Sequence, residues 1–388
     1  MPSDLIRFFQ LDPDYTFLNH GSFGACPRPV FDQYQQWQRE LEARPVEFLN
    51  RRFPQLMAES RSALAAFLGT EANNLVYVPN ATTGINIVAQ TLELEPGDEI
   101  LSTDLEYGAL DRAWEKVERL TGAKYIRRHI DLPISTAEHF IEQVWSGRTD
   151  RTKVLFLSHI TSSTAITFPV EALIARARAE GIITVIDGAH CPGQINLHLD
   201  KLGADFYTGN CHKWMMTPKG SAFLYGRAES QHLIGPLVVS WGDKSAPDSP
   251  FVQELEFVGT YDISAYLSIP AAIRFMNEND WDAVRIRCHE LVRHYRSRMI
   301  ELVGTEPLVP DDPKWYSQMC AHPLPPLDGD ELKRRLYDDY RIEVPVTEVR
   351  GRWYLRASAQ GYNDTADMDR LLDAVAALLP ELTHARAT

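Results

Sequence analysis

Cysteine is scarce in this chain: five residues among 388, Cys26, Cys191, Cys211, Cys288 and Cys320, widely spread and with no CxxC pair. An odd number so arranged argues against a disulfide framework and a structural zinc site, and it suits a reducing compartment. Basic charge is short as well. Thirty-nine Lys and Arg stand against 53 Asp and Glu, a formal net charge of -14. Nucleic acid and anionic membrane both need a basic face, so neither is expected as a partner. No apolar run approaches the ~20 residues that span a bilayer. The opening "MPSDLIRFFQLDPDY" has no basic region ahead of an apolar core, so no signal peptide is read and a cytoplasmic location is expected. Also missing are a G-x-G-x-x-G after a strand and a G-x-x-x-x-G-K-[ST], which removes the usual support for dinucleotide and P-loop readings. No internal repeat or low-complexity tract is present.

What remains is ordinary globular composition, 44% hydrophobic and 24% charged, with length enough for a large core and two domains. From about residue 60 to 226 short Val/Ile/Leu runs ("NLVYVPN", "DEILST", "AKYIRRHI", "KVLFLSHI", "IITVIDGAH", "ADFYTGN", "SAFLYG") alternate with helical patterns ("QLMAESRSALAAFLG", "ATTGINIVAQTL", "GALDRAWEKVERLTG", "AEHFIEQVWS", "PVEALIARARAEG"). That alternation predicts an α/β domain with a mostly parallel sheet flanked by helices. A Pro/Ser/Asp/Gly-rich loop follows over 236–253, then a long amphipathic stretch over 269–303 that predicts a connecting helix. The tail mixes short strands ("RIEVPVTEV", "RWYLRAS") with a closing helix ("TADMDRLLDAVAALLP"), a smaller α+β domain.

In open α/β sheets ligands collect at the carboxyl ends of the strands. Here those ends carry Asn80 to Thr83, Asp104 to Tyr107, Ser158 to Ser162, Asp187 to His190, and His212-Lys213-Trp214. Two lysines, Lys213 and Lys219, interrupt an otherwise uncharged aromatic and methionine-rich stretch. A lysine there is either a surface group or a desolvated amine able to attack a carbonyl. Thr82 and Thr83, opening a helix after a strand, form either a phosphate site or a plain N-cap. Asp187, closing an apolar strand, needs a cationic partner, which a protonated ring nitrogen or an ordinary salt bridge could supply. Tyr107 could stack on a flat ring or simply pack. His190 could donate to a ring hydroxyl or be a satisfied core histidine.

Taken together these groups describe a flat pyridine with a phosphate arm and a phenolic oxygen, joined to a lysine: pyridoxal 5′-phosphate. The sequence resembles the class V aminotransferase and cysteine desulfurase family of fold-type I enzymes, and within it the isopenicillin N epimerase branch. The motifs that carry the resemblance run from about residue 17 to 365: "FLNHGSFGACPRPV", "NATTGINIVAQTL", "LSTDLEYGALDRAWE", "LFLSHITSSTAITFPVEAL", "ITVIDGAHCPGQINLHL", "DFYTGNCHKWMMTPKGSAFLY", "EFVGTYDIS" and "WYLRASAQGYN". The resemblance implies a fold-type I enzyme. An N-terminal segment over 1–20 would line the active site, a large domain over 21–255 would bind the cofactor, and a small domain would follow over 256–388.

It also implies roles. Lys213 would be the lysine linked to the cofactor and His212 would contact the phosphate, leaving Lys219 as the bland member of the pair. Asp187 would keep the pyridine nitrogen protonated. Tyr107 would stack on the ring, where desulfurases usually have His. Ser162 and His190 would bond the ring oxygen, and Thr82 and Thr83 the phosphate. Thr260 would reach the phosphate of a second copy, making a homodimer with shared active sites. Arg356 would clamp the α-carboxylate of an amino acid substrate, beside Asn19 and His20. Desulfurases carry a nucleophilic Cys shortly before that arginine, and "RIEVPVTEVRGRWYLRAS" has none; Cys320, the nearest upstream, stands in a different context.

The leading expectation is therefore an enzyme acting at the Cα of an amino acid, an isopenicillin N epimerase-like epimerase or racemase, with Lys213 as base. Epimerisation needs a second acid, for which His20 is the candidate. Carbon-sulfur β-elimination, on cysteine or a cysteine conjugate, is the alternative, with transamination third. A catalytically inactive cofactor-binding module is a remote alternative, since the lysine, aspartate and arginine positions are all filled.

Overall fold

The computed structural model describes residues 4–242 and 249–384. Residues 1–3 of the expected N-terminal segment, 243–248 of the expected loop, and the last four residues lie outside the described residues. The strands are β1 (Thr16–Phe17), β2 (Leu75–Val78), β3 (Glu99–Thr103), β4 (Lys124–Arg128), β5 (Thr152–Ser158), β6 (Ile183–Asp187), β7 (Phe206–Asn210), β8 (Ala222–Gly226), β9 (Met319–Pro323), β10 (Ile342–Glu343), β11 (Val346–Val349) and β12 (Arg352–Ser358).

Seven of them form one sheet in the order β2-β8-β7-β6-β5-β3-β4. β7, β6, β5, β3 and β4 pair in parallel, while β8 runs antiparallel to both β7 and β2. The sheet is thus mixed, with one reversed strand. An antiparallel neighbour can be reached by a short connection, where a parallel one needs a crossover. The segment 211–221 between β7 and β8 is such a connection, and it carries Lys213.

Residues along a strand alternate between faces, and β5 shows the consequence. Val154 and Phe156 join one buried cluster with Ile85, Leu110 and Trp114, from the helices Ala81–Thr91 and Gly108–Thr121. Leu155 and Leu157 join the other, with Leu64, Phe140 and Leu173, from the helices Phe53–Leu68, Ala137–Trp145 and Val170–Ala179. A sheet covered on both faces has no polar side, which is why its strands read as continuous apolar runs.

The second cluster continues into the C-terminal region, where β11-β12-β9 form an antiparallel sheet that includes Leu355, Ala357 and Met319. β1 pairs in parallel with β10, and the Ser358 N–H donates to the Leu18 carbonyl. These contacts hold the N-terminal segment against β12.

The connecting helix expected over 269–303 is two helices, Ile269–Glu278 and Trp281–Val303. Asp280 between them adopts a left-handed backbone (φ 45°), and its carboxylate accepts the Ala283 N–H as an N-cap. Asn and Asp tolerate that conformation better than other side-chain-bearing residues, so "NENDW" breaks the helix although the apolar periodicity runs through it. β9 and the helix Gly329–Asp338 have no counterpart in the sequence reading. Among the described residues no helix is long and apolar enough to cross a membrane.

Candidate active site

Parallel strands put their carboxyl ends at one rim, and a cavity of about 490 Å³ opens there. Of the residues expected in the site, it gathers Thr82, Tyr107, Ser162, Asp187, His190, His212 and Lys213, each just beyond a strand end. Gly21, Ser22 and Phe23 from the N-terminal segment line it as well.

Lys213 is half-buried, and the pKa of its amine falls to about 7. Burial is the main cause and the Arg356 charge adds to it, against opposing pulls from Asp187 and Cys191. Its Nζ stands 3.2 Å from His190 Nε2. Asp187 is buried and accepts the Ala189 N–H (2.9 Å); burial pushes its carboxyl up, against that hydrogen bond and Lys213. His212 Nδ1–H donates to the Ser221 carbonyl (3.0 Å), leaving Nε2 as an acceptor. Burial, with Lys213 and Lys219 nearby, holds its pKa down to about 4. A phosphate dianion is the kind of partner that would recharge it.

The helix opening after β2 is capped by two asparagines. Asn80 Oδ1 accepts the Thr83 N–H (2.8 Å) and hydroxyl (3.1 Å), while Asn210 Oδ1 accepts the Ala81 N–H (2.8 Å). Thr82 lines the cavity and enters neither bond. Thr83, occupied by the cap, faces a second cavity of about 350 Å³ that it shares with Thr260. Neither threonine lines the first cavity of its own chain.

Arg356, on β12, is buried behind the cavity wall. One of its terminal nitrogens donates to the Ser162 carbonyl, and the other to Ser22 Oγ (3.0 Å) and, more distantly, to Asn19 Oδ1 (3.4 Å). Its Nε has no partner, and burial lowers its pKa to about 10. Asn19 does not line the cavity; it holds Ser22, which does, and Arg356 behind it.

One expectation is corrected. His20 is fully buried and does not line the cavity. Its Nε2–H donates to the Lys213 carbonyl (2.9 Å), and Nδ1 accepts from the Tyr362 hydroxyl (3.0 Å). Burial pushes its pKa down to about 3. A neutral ring with both nitrogens engaged is not placed to hand a proton to a substrate. Lys219 is exposed at the edge of the cavity and donates to the Gly24 carbonyl (2.9 Å), with desolvation lowering its pKa. Cys320 lies buried on β9 opposite Ala357, its thiol pushed up to about 12 by burial, so it is no persulfide-forming nucleophile.

The donor set fits the cofactor that the resemblance implies. A half-buried amine near neutrality can meet its aldehyde, a buried carboxylate its ring nitrogen, a half-exposed tyrosine its ring face, and a helix N-terminus its phosphate.

Comparisons with known proteins agree with this reading. The family profile for aminotransferase class-V matches residues 19–371. The chain is 37% identical to the isopenicillin N epimerase of Streptomyces clavuligerus, over 96% of each sequence. It is 30% identical to an Arabidopsis thaliana protein described as "Probable L-cysteine desulfhydrase, chloroplastic", over 96% of this chain and 85% of that one. Its fold matches a cysteine desulfurase of Escherichia coli with a TM-score of 0.81 at 22% identity, over 97% and 98% of the two chains. The chain therefore belongs to the class V aminotransferase family, and it is an enzyme whose cofactor is pyridoxal 5′-phosphate.

Proposed function

We propose that this enzyme is a carbon-sulfur β-lyase acting on an S-substituted cysteine. With one water it yields pyruvate, ammonia and the departing sulfur group as its conjugate acid (a thiol from a thioether, a persulfide from cystine, a sulfenic acid from a sulfoxide), and no oxidant is needed. The observation that carries this reading is the sealing of His20: Lys213 offers a base at the reacting carbon, whereas His20 cannot serve as the second acid that inversion requires. When bound, the cofactor supplies an aldehyde that links to amines and a protonated ring that accepts the electron pair left at Cα. Lys213 takes the α-proton. Asp187 would hold the proton on the ring nitrogen, Tyr107 would cover the ring, and Ser162 and His190 would bond its oxygen. Thr82 and His212 hold the phosphate end. Arg356 receives the α-carboxylate, exchanging its contacts to Ser22 and Asn19 for it.

A homodimer belongs to the same proposal, with Thr260 reaching the phosphate of a second copy. The absence of Thr260 from its own chain's cavity supports this, as do the exposed Val239 and Trp241 nearby. The small domain would then begin at 256. A cytoplasmic location rests on five free cysteines.

Amino acid epimerisation is the second reading. It is favoured by the 37% identity to an isopenicillin N epimerase and by Tyr107, a proton donor lining the cavity from a different strand end than Lys213. On that reading Tyr107 replaces His20 as the opposite acid. Incubation with cystine, cysteine and cysteine sulfoxide conjugates, assaying pyruvate alongside chiral analysis of recovered substrate, separates the two. Rapid pyruvate without inversion is expected. Inversion without pyruvate, lost in Tyr107→Phe, overturns the lyase reading in favour of the second.

A further inference from the structure

Trp214 follows Lys213 and is fully buried, its ring 5.1 Å from that of His20. On its other side the indole Nε1 lies 3.4 Å from His190 Nδ1, while the second nitrogen of that imidazole, Nε2, faces Lys213 Nζ at 3.2 Å. The frame around this chain of contacts is rigid. Gly193 passes so close under Trp214, at φ 84°, that a Cβ there would lie 2.5 Å from the Trp214 carbonyl oxygen. The Gln194 amide donates to the His190 carbonyl at 2.7 Å.

An indole N–H can only donate. His190 is buried beside the Arg356 guanidinium, and burial above all holds its pKa well below the usual value, so the ring is neutral and carries one proton. If Nδ1 accepts from the indole, that proton sits on Nε2. Nε2–H then points at Lys213 Nζ, and only an uncharged amine can accept it.

We propose that Trp214 is a positioning residue that fixes the His190 proton on Nε2, so that His190 presents a hydrogen-bond donor to the cavity and holds the Lys213 amine in its accepting, nucleophilic form. The groups facing Lys213 divide in the same sense. Arg356 opposes its protonation, while Asp187 and Cys191 favour it, so the donor from His190 adds its weight against the ammonium form. The inference rests on the reading of Lys213 as the reacting amine, but the position of the proton does not.

The test is the tautomer itself. In cofactor-free protein labelled with [15N]histidine, the ring-nitrogen shifts of His190, assigned by their loss in His190→Gln, should be those of an Nε2–H imidazole. Replacing Trp214 alone with 3-benzothienylalanine puts sulfur where the N–H was and keeps the shape. The tautomer should then shift towards Nδ1–H, and uptake of pyridoxal 5′-phosphate near neutral pH should slow several-fold as Lys213 becomes charged. An Nδ1–H imidazole in the unsubstituted protein overturns the proposal even if no variant folds, and so does a tautomer unchanged by the substitution. If the proton is on Nε2 but the cofactor links elsewhere than Lys213, the proposed function fails and the assignment of the proton stands.

Discussion

Two buried histidines address Lys213, at different atoms and from different parts of the chain. His190 arrives from the end of β6 and faces the ε-amine, with its other nitrogen against Trp214. His20 arrives from the N-terminal segment and donates to the Lys213 backbone carbonyl, with its other nitrogen against Tyr362. Both are neutral because burial opposes the charged ring. One is turned towards the chemistry and the other fastens the wall behind it. A histidine near a catalytic lysine is therefore defined by the atom it faces. The same contrast separates the two walls of the cavity. The strand-end wall takes its geometry from the sheet. The opposite wall, Asn19 to Gly24 against β12, takes its geometry from hydrogen bonds between segments more than 300 residues apart.

The comparison breaks most decisively at the lysine that both histidines touch. Lys213→Ala should abolish exchange of the substrate α-proton with deuterated solvent, a loss of at least ~10²- to 10⁴-fold from the base alone. Borohydride reduction of the unsubstituted enzyme should label Lys213 and leave Lys219 unlabelled; mass spectrometry of the peptides decides. Label on Lys219 would mean that the cavity has been read from the wrong amine.

Arg356 tests whether the second wall binds substrate as well as standing behind it. Arg356→Lys keeps a charge but loses the fork that matches a carboxylate. One charged hydrogen bond lost is worth ~1.5–3 kcal/mol, or about ten- to a hundredfold in KM, with the cofactor's absorption unchanged. Equal reactivity of decarboxylated amines would instead make Arg356 a brace for Ser22 and Ser162.

His20→Ala sharpens the contrast between the histidines. If His20 fastens the wall, removal leaves the Tyr362 hydroxyl and the Lys213 carbonyl without it, each at a cost of ~1–3 kcal/mol in stability. The melting temperature should fall, while the ratio of pyruvate to inverted substrate stays the same. A stable variant with an altered ratio would return His20 to the chemistry.

How much of this was legible in the sequence follows the same division between the walls. The parallel sheet and the rim residues Tyr107, Asp187, His190 and Lys213 could be read because strand periodicity and strand ends are local signals. The break at Asp280 was also in the letters, as Asn-Asp, but the apolar spacing outweighed it. The burial of His20 was not legible. Nothing near "LNHGSFG" announces Tyr362, and a histidine three residues into a substrate-side segment reads the same whether its ring faces in or out. Lys219 reads as part of a solvated Pro-Lys-Gly turn and is exposed, but only the return of β8 beside β7 brings it to the edge of the cavity.

The smallest effect concerns Glu106, which stands beside Tyr107 and gives the strand-end wall its own buried fastener. Its carboxylate accepts the Thr103 hydroxyl and the Ser158 N–H, both at 2.7 Å, and so ties the ends of β3 and β5 together. Burial pushes its pKa from 4.5 up to about 8; the hydrogen bonds from Ser158 and Thr103 oppose this, and the nearby Asp187 adds to it. A carboxyl whose folded value is raised binds more protons folded than unfolded. Its contribution to stability is complete below the unfolded value and is lost as pH rises through the folded one. Glu106→Gln imitates the protonated acid and cannot ionise. The two proteins should therefore melt at similar temperatures near pH ~4.5, and the variant should gain on the native enzyme steadily up to pH ~8. Thermal melts across that window, taken without cofactor so that Asp187 has the same surroundings in both, measure the difference. A gap that stays constant with pH would show that Glu106 is already ionised, balanced by its two donors, and that this wall is held as His20 holds the other, by hydrogen bonds alone.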